Sequence, residues 1–192
     1  IFFFEYILPI KRNTYLIEIT CFSESKITLN MLKQKLEKVL IHNNITSYKI
    51  KRTEYGVIPM GFIKKSAYVK DCNYFYAGSL GGAIRPSSGY AFLRIQDWAK
   101  KAALSLKEKG KLISHPKENK IIFLLDKIFL KVLQKNIKVA PNIFFNFLEK
   151  INTASFIRFM SGNARPLDYI KIILAMPKKY FFRYKMQRDH EK

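Results

Sequence analysis

Residues 78 to 92 read Gly-Ser-Leu-Gly-Gly-Ala-Ile-Arg-Pro-Ser-Ser-Gly-Tyr-Ala-Phe. A strand-like apolar run, Tyr74 to Ala77, enters this stretch, and a long amphipathic pattern, Tyr90 to Lys109, leaves it. A strand that turns through glycines into a helix aims backbone N–H groups at an anion. Glycine lets the backbone come close to a ligand, and Ser87 and Ser88 offer hydroxyls to cap the helix start. Two readings stay open on the residues alone: a site for a phosphate-bearing cofactor, or a tight strand-to-helix connection that holds no ligand.

The segments on either side set the organisation. Residues 1 to 60 read as an α+β unit. Phe2 to Ile10 and Thr14 to Phe22 are predicted strands joined by the basic turn Lys11-Arg12-Asn13. A helix capped by Thr28 follows, with Leu29, Leu32, Leu36, Val39 and Leu40 at helical spacing. Tyr48 to Met60 is read as further strand, broken by Gly56 and Pro59, with Tyr55 and Met60 in the core. In the helix after the glycine turn, Phe92, Ile95, Ala99, Ala102 and Leu106 form an apolar stripe, and Gly110 is a C-terminal stop. From Lys117 onward the pattern is helical, with Pro141 and Pro166 in first turns and Pro177 ending the last helix. Phe123, Phe129, Phe144, Phe145, Phe147, Phe156 and Phe159 are read mostly as core.

Within the second strand, Glu18 shares a face with Leu16, Thr20 and Phe22. A carboxyl group in apolar surroundings keeps its proton more readily and becomes an acid near neutral pH. The alternative is an outer-face glutamate in water, and the strand pattern leaves both open.

The chain has 35 basic and 14 acidic side chains and a formal charge of +21. That excess admits nucleic acid, an anionic lipid surface or an anionic ligand as partner. Basic residues spread along the chain, with aromatics in apolar stripes, argue against nucleic acid. Cys21 and Cys72 form no CxxC motif and fit two ordinary thiols of a reduced, cytosolic chain. His42, His115 and His190 share no metal-like spacing and are read as surface residues, so no metal is expected. The most apolar segment, Ile121 to Leu133, is interrupted by Asp126, Lys127 and Lys131, which argues against a membrane span. The chain opens with Ile1 directly in a strand-like run, and the expectation is a piece of a longer protein whose missing part is N-terminal.

Three stretches in order, Tyr15 to Ser23, Glu54 to Met60 and Gly78 to Phe92, resemble consecutive motifs of the flavin-dependent lycopene cyclases. Ala175-Met176-Pro177-Lys178-Lys179-Tyr180-Phe181-Phe182 is similar to the motif near that family's C-terminus. The resemblance runs from about Phe3 to Phe182. It implies an α/β fold, α+β in part. This is the C-terminal portion of a Rossmann-type FAD domain interleaved with an antiparallel-sheet substrate domain, followed by a helical region. Residues 1–68 would end the substrate domain, 69–115 would return a strand and helix to the FAD domain, and 116–192 would form the helical region. The implied reaction protonates the end of a linear carotene, closes a six-membered ring and loses a proton. Reduced FAD is required, with NAD(P)H as electron source. The resemblance gives Glu18 the acid role. It gives Gly78, Ser79, Gly81, Gly82, Pro86, Ser87, Ser88, Gly89 and Tyr90 to FAD.

Two departures stand out. Ile19 occupies the second acidic position of the short motif around Glu18. No Gly-x-Gly-x-x-Gly opens the chain, so the half that binds the ADP part of FAD is expected to be missing from it, and the chain by itself is expected to be inactive. A flavin hydroxylase or reductase of another apolar substrate is the neighbouring alternative. Those enzymes carry an Asp where Ser79 stands, which favours the cyclase. The substrate, lycopene, lives in the bilayer, so a chain with no span is expected in the cytoplasm, docked on an anionic membrane surface.

Overall fold

A computed structural model describes residues 1–62 and 76–181. Among them the chain is mixed α/β: one two-stranded antiparallel sheet, six α-helices and one 3₁₀ turn. It divides into two compact units. Residues 1–57 with 136–141 form the first, and 58–135 with 142–192 the second.

In the first unit β1 (Phe2–Lys11) and β2 (Thr14–Phe22) form a hairpin, as their alternation requires. Asn13 closes the basic turn at φ 57°, a left-handed conformation that asparagine tolerates. The register pairs Phe2 with Phe22, Phe4 with Thr20, Tyr6 with Glu18 and Leu8 with Leu16, which puts these eight side chains on one face. Helix α1 (Leu29–His42) starts where Thr28 accepts a hydrogen bond from the Met31 N–H, and it buries Val39 and Leu40. It packs against β2. Lys35 Nζ stands 5.6 Å from the Phe3 ring centroid, on the odd-numbered face of the hairpin.

The reading of Tyr48 to Met60 as strand is corrected: no residue there belongs to a strand, and Tyr48, Ile50, Tyr55 and Val57 are exposed. Gly56 and Pro59 interrupt the run. An extended segment that no ladder satisfies leaves its backbone to water. Tyr55 is therefore not core.

The second unit is helical: α2 (Phe92–Lys109), α3 (Lys120–Lys135), α4 (Ala140–Lys150, whose first two residues group with the first unit), α5 (Thr153–Ser161) and α6 (Pro166–Ala175). Gly110 ends α2 at φ 63°, Pro166 opens α6, and Pro177 follows its end. The core gathers Ile122, Phe147, Phe159, Ile172 and Ala175. Phe147 meets Phe156 edge to face, with centroids 5.8 Å apart. Phe123 and Phe145 depart from the expected core and are exposed. In α4 Phe145 lies on the face opposite Ile143 and Phe147, whereas in α3 Phe123 lies at the edge of the buried face, its ring centroid 4.3 Å from that of Phe62. The α2 stripe is likewise only partly covered: Ala102 is buried, whereas Phe92 and Leu106 are exposed. Tyr76 and Ala77 are irregular, and the rest of the strand read before the glycine turn lies outside the described residues, as do Cys72, His190 and the charged tail. No helix among the described residues is long and apolar enough to cross a membrane.

Asp168 joins α5 to α6. Arg158 Nε and Nη2 donate to its two carboxylate oxygens at 2.8 and 2.7 Å, and the Arg165 N–H donates at 2.9 Å. The Arg158 hydrogen bond first, then the Arg165 N–H, hold this carboxyl far below the usual carboxylate range, against the opposing effect of burial. A carboxylate with a depressed value favours the folded state above about pH 3.9, its ordinary value, and that contribution fades as pH falls from there toward the lowered value. Asp168→Asn is expected to lower the urea midpoint at pH 7 and to flatten the loss of stability between about pH 4 and pH 2. An unchanged acid limb in the variant would contradict this.

Candidate active site

On the hairpin, Glu18 lies on the even-numbered face and is exposed, as are Tyr6, Leu8 and Leu16 around it. Its Oε1 accepts a 2.7 Å hydrogen bond from Thr20 Oγ1. The face is apolar in composition, and among the described residues Glu18 on it is exposed. Rings line the end of the face beyond Thr20: Phe4 stands 5.5 Å from Phe22 and meets Tyr6 edge to face at 5.3 Å. Below, a recess of about 290 Å³ is lined by Phe3, Phe4, Glu5, Ile19 and Lys35.

The glycine bend belongs to the second unit, whereas Glu18 belongs to the first. The bend is a series of tight turns. The N–H of Gly81 donates to Ala77, Gly82 to Ser79, Ala83 to Gly78, Arg85 to Tyr90, and Ser88 and Gly89 to Arg85, all through backbone carbonyls. The expected helix caps are corrected. Ser87 Oγ donates to Asp126 Oδ1 at 2.8 Å, Ser88 Oγ accepts from the Tyr90 N–H, and Ala91 precedes α2 with no side-chain cap. A hydroxyl committed to a buried carboxylate is not available to a helix end.

Arg85 is the residue that the pattern of glycines and serines hides. It is 1 % exposed and its partner Asp126 is 2 % exposed. Arg85 Nε and Nη2 donate to Asp126 Oδ1 at 3.1 and 2.8 Å, and Nη1 donates to the Phe159 carbonyl at 2.7 Å. The guanidinium also lies 3.8 Å from the Phe159 ring centroid. One side chain thus ties the bend to α3 and α5. The signal in sequence was Asp126 itself, a lone acid in the apolar run Ile121 to Leu133, because a buried carboxylate demands a cation.

His115 is likewise buried, not at the surface as read. It stacks on Trp98 at 4.3 Å. Burial, and then the charge of Arg94, push its imidazole below the ordinary value. Its Nε2 has no hydrogen-bond partner among the described residues.

The bend's glycines answer two different needs. A Cβ on Gly81 would fall against the Tyr76 carbonyl oxygen and within 2.7 Å of His115 Cδ2, and one on Gly89 (φ 71°) within 2.9 Å of Ile58 Cγ2, so these two serve the chain's own packing. Gly78 (φ 60°) faces open space, and Ser79 and Leu80 beside it are exposed. The outer arm, Gly78 to Leu80, is the exposed part of the bend. Gly81 to Tyr90 is the scaffold that holds that arm.

These features define a mixed α/β protein with an acid on an aromatic strand face and a glycine-rich bend rooted in a helical core. Residues 1–186 match the family described as lycopene cyclase protein, and the chain belongs to this family of carotenoid biosynthesis. No curated protein and no solved structure matches it.

Breaking a buried ion pair from one side strands the other charge, at a cost of about 3–5 kcal/mol. Asp126→Leu should lose stability on that scale in urea unfolding. Pairing it with Arg85→Met should recover most of the loss, since two apolar groups leave no charge behind. A double variant no more stable than the single one would refute this account of the pair.

Proposed function

We propose that this protein cyclises the ends of a linear carotene by adding a proton, with Glu18 as the acid. The observation that carries the reading is the family match across residues 1–186, within which Glu18 stands in the Leu16 to Thr20 motif on an apolar strand face. In the step, the Glu18 O–H bond breaks and an alkene π pair takes the proton, forming a C–H bond and leaving a carbocation. A second alkene π pair closes the carbon–carbon bond of the ring. The ring carbon next to the resulting cation then loses its proton to the Glu18 carboxylate, which restores the acid. The sum is an isomerisation and consumes no electrons. It needs a water-free face, because water would take the cation.

Gly78 and Ser79 would hold reduced FAD, with Gly81, Gly82, Pro86, Ser87, Ser88, Gly89 and Tyr90 setting the shape of the bend. When bound, the flavin would supply negative charge, and NAD(P)H would keep it reduced. The absence of a second acid, with Ile19 in its place, makes Glu18 the only carboxyl of its motif.

The substrate is dissolved in bilayer, and the net charge of +21 suits an anionic leaflet. The protein is therefore placed at the membrane surface. Two measurements follow. In lycopene-making cells expressing the complete encoded protein, cyclic carotenes should accumulate, and Glu18→Gln should reduce them by about 100-fold or more. Equal ring formation in the variant would remove Glu18 from the chemistry. In flotation with liposomes, binding should rise with anionic lipid and fall as salt rises. Salt-independent binding, or none, would sink the surface placement.

A further inference from the structure

Glu18 shares its strand face with groups suited to the two charges that a proton transfer separates. Thr20 Oγ1 donates to Glu18 Oε1 at 2.7 Å. The register sets Tyr6 directly across from Glu18, and Phe4 across from Thr20. The Phe4 and Tyr6 rings meet at an interplanar angle of 85°, so the pair turns one ring face and one ring edge to each other. Burial first, and then the charge of Glu18, raise the Tyr6 phenol above its ordinary value, so its O–H stays neutral beside the carboxylate.

We propose that Thr20 is a positioning residue for the Glu18 carboxyl, and that Phe4 and Tyr6 are the rings that face the cation Glu18 creates. The inference rests on the reading of Glu18 as proton donor. Thr20 occupies one oxygen of the carboxyl, which leaves Oε2 as the one that carries and delivers the proton. As the proton leaves, negative charge grows on the carboxylate and the hydrogen bond from Thr20 strengthens. An interaction stronger in the transition state than in the ground state accelerates the step. The opposite charge grows on the substrate, and the negative faces of aromatic rings attract it. Among the described residues Tyr6 is 45 % exposed, so its ring is open to a chain laid on this face.

The test uses the complete encoded protein, with reduced FAD and lycopene in anionic vesicles, and rates taken per folded protein by near-ultraviolet circular dichroism. Thr20→Val keeps the shape and removes the hydroxyl, and is expected to lower kcat by about 10- to 100-fold with little change in KM. Thr20→Ser restores the hydroxyl and should restore most of kcat. Tyr6→Leu should lose about 10-fold or more, and Tyr6→Phe, which keeps the ring, should retain several-fold more activity than Tyr6→Leu. A wild-type rate in Thr20→Val, or a Ser variant as slow as the Val variant, overturns the positioning role while Glu18 keeps its own. A Tyr6→Leu variant as fast as wild type overturns the ring role. A wild-type protein that forms no ring overturns the proton-donor reading itself, and this inference with it.

Discussion

An arginine buried to 1 % exposure must find its hydrogen bonds inside the protein, and Arg85 finds them on two helices at once. Its fork grips the carboxylate of Asp126 on α3, its remaining amine meets the Phe159 carbonyl on α5, and its plane lies over the Phe159 ring. The backbone of Arg85 is equally committed, since its N–H donates to Tyr90 and its carbonyl accepts from Ser88 and Gly89. Side chain and main chain together convert a glycine-rich stretch, which by itself has many conformations, into one. Lysine would not serve here, because a point charge on a flexible stem has no planar fork to satisfy several acceptors. Ser87 adds a second donor to Asp126, so that carboxylate enters the core compensated from two positions of the same bend.

This anchoring divides the bend by purpose. Gly81 is glycine because the Tyr76 carbonyl and His115 leave no volume for a methyl group. Gly78 has open space beside it and a left-handed backbone. The first kind of glycine is a packing requirement, and the second presents backbone to whatever approaches. A glycine-rich motif read as a uniform ligand loop conflates the two. The same anchoring explains why Ser87 is an internal link and not a helix cap: a hydroxyl next to a buried carboxylate is worth more there than at a solvated helix start.

Much of the secondary structure was legible because local rules were sufficient. Strand alternation fixed the β1–β2 hairpin, Thr28 fixed the start of α1, and Gly110 and Pro166 fixed helix ends. Failures came where a long-range partner decided the outcome. Tyr48 to Met60 has strand-like composition but no ladder to join. His115 has no sequence neighbour that announces Trp98, seventeen residues earlier, as its stacking partner. Arg85 and Asp126 lie forty-one residues apart, and neither periodicity nor motif links them. The acid was legible as a residue type on a strand face, because period two is a local property. Its exposure was not, because cover comes from outside the strand.

That exposure bears directly on chemistry. A carboxyl group in water gives its proton to water far more readily than to an alkene, so an acid on an open face is idle until the face is covered. The even-numbered face is built from Phe2, Phe4, Tyr6, Leu8, Leu16 and Phe22 around the Glu18 carboxyl and the Thr20 hydroxyl. An apolar chain laid on it would displace water from every side of Glu18 except the side that Thr20 occupies. On the proposed reading, covering and activation would be the same event: the substrate that receives the proton would also exclude the water that competes for it. An enzyme organised this way needs no preformed dry cavity within the hairpin. It needs a face apolar enough to be covered and one hydrogen bond strong enough to keep the carboxyl pointed at what covers it.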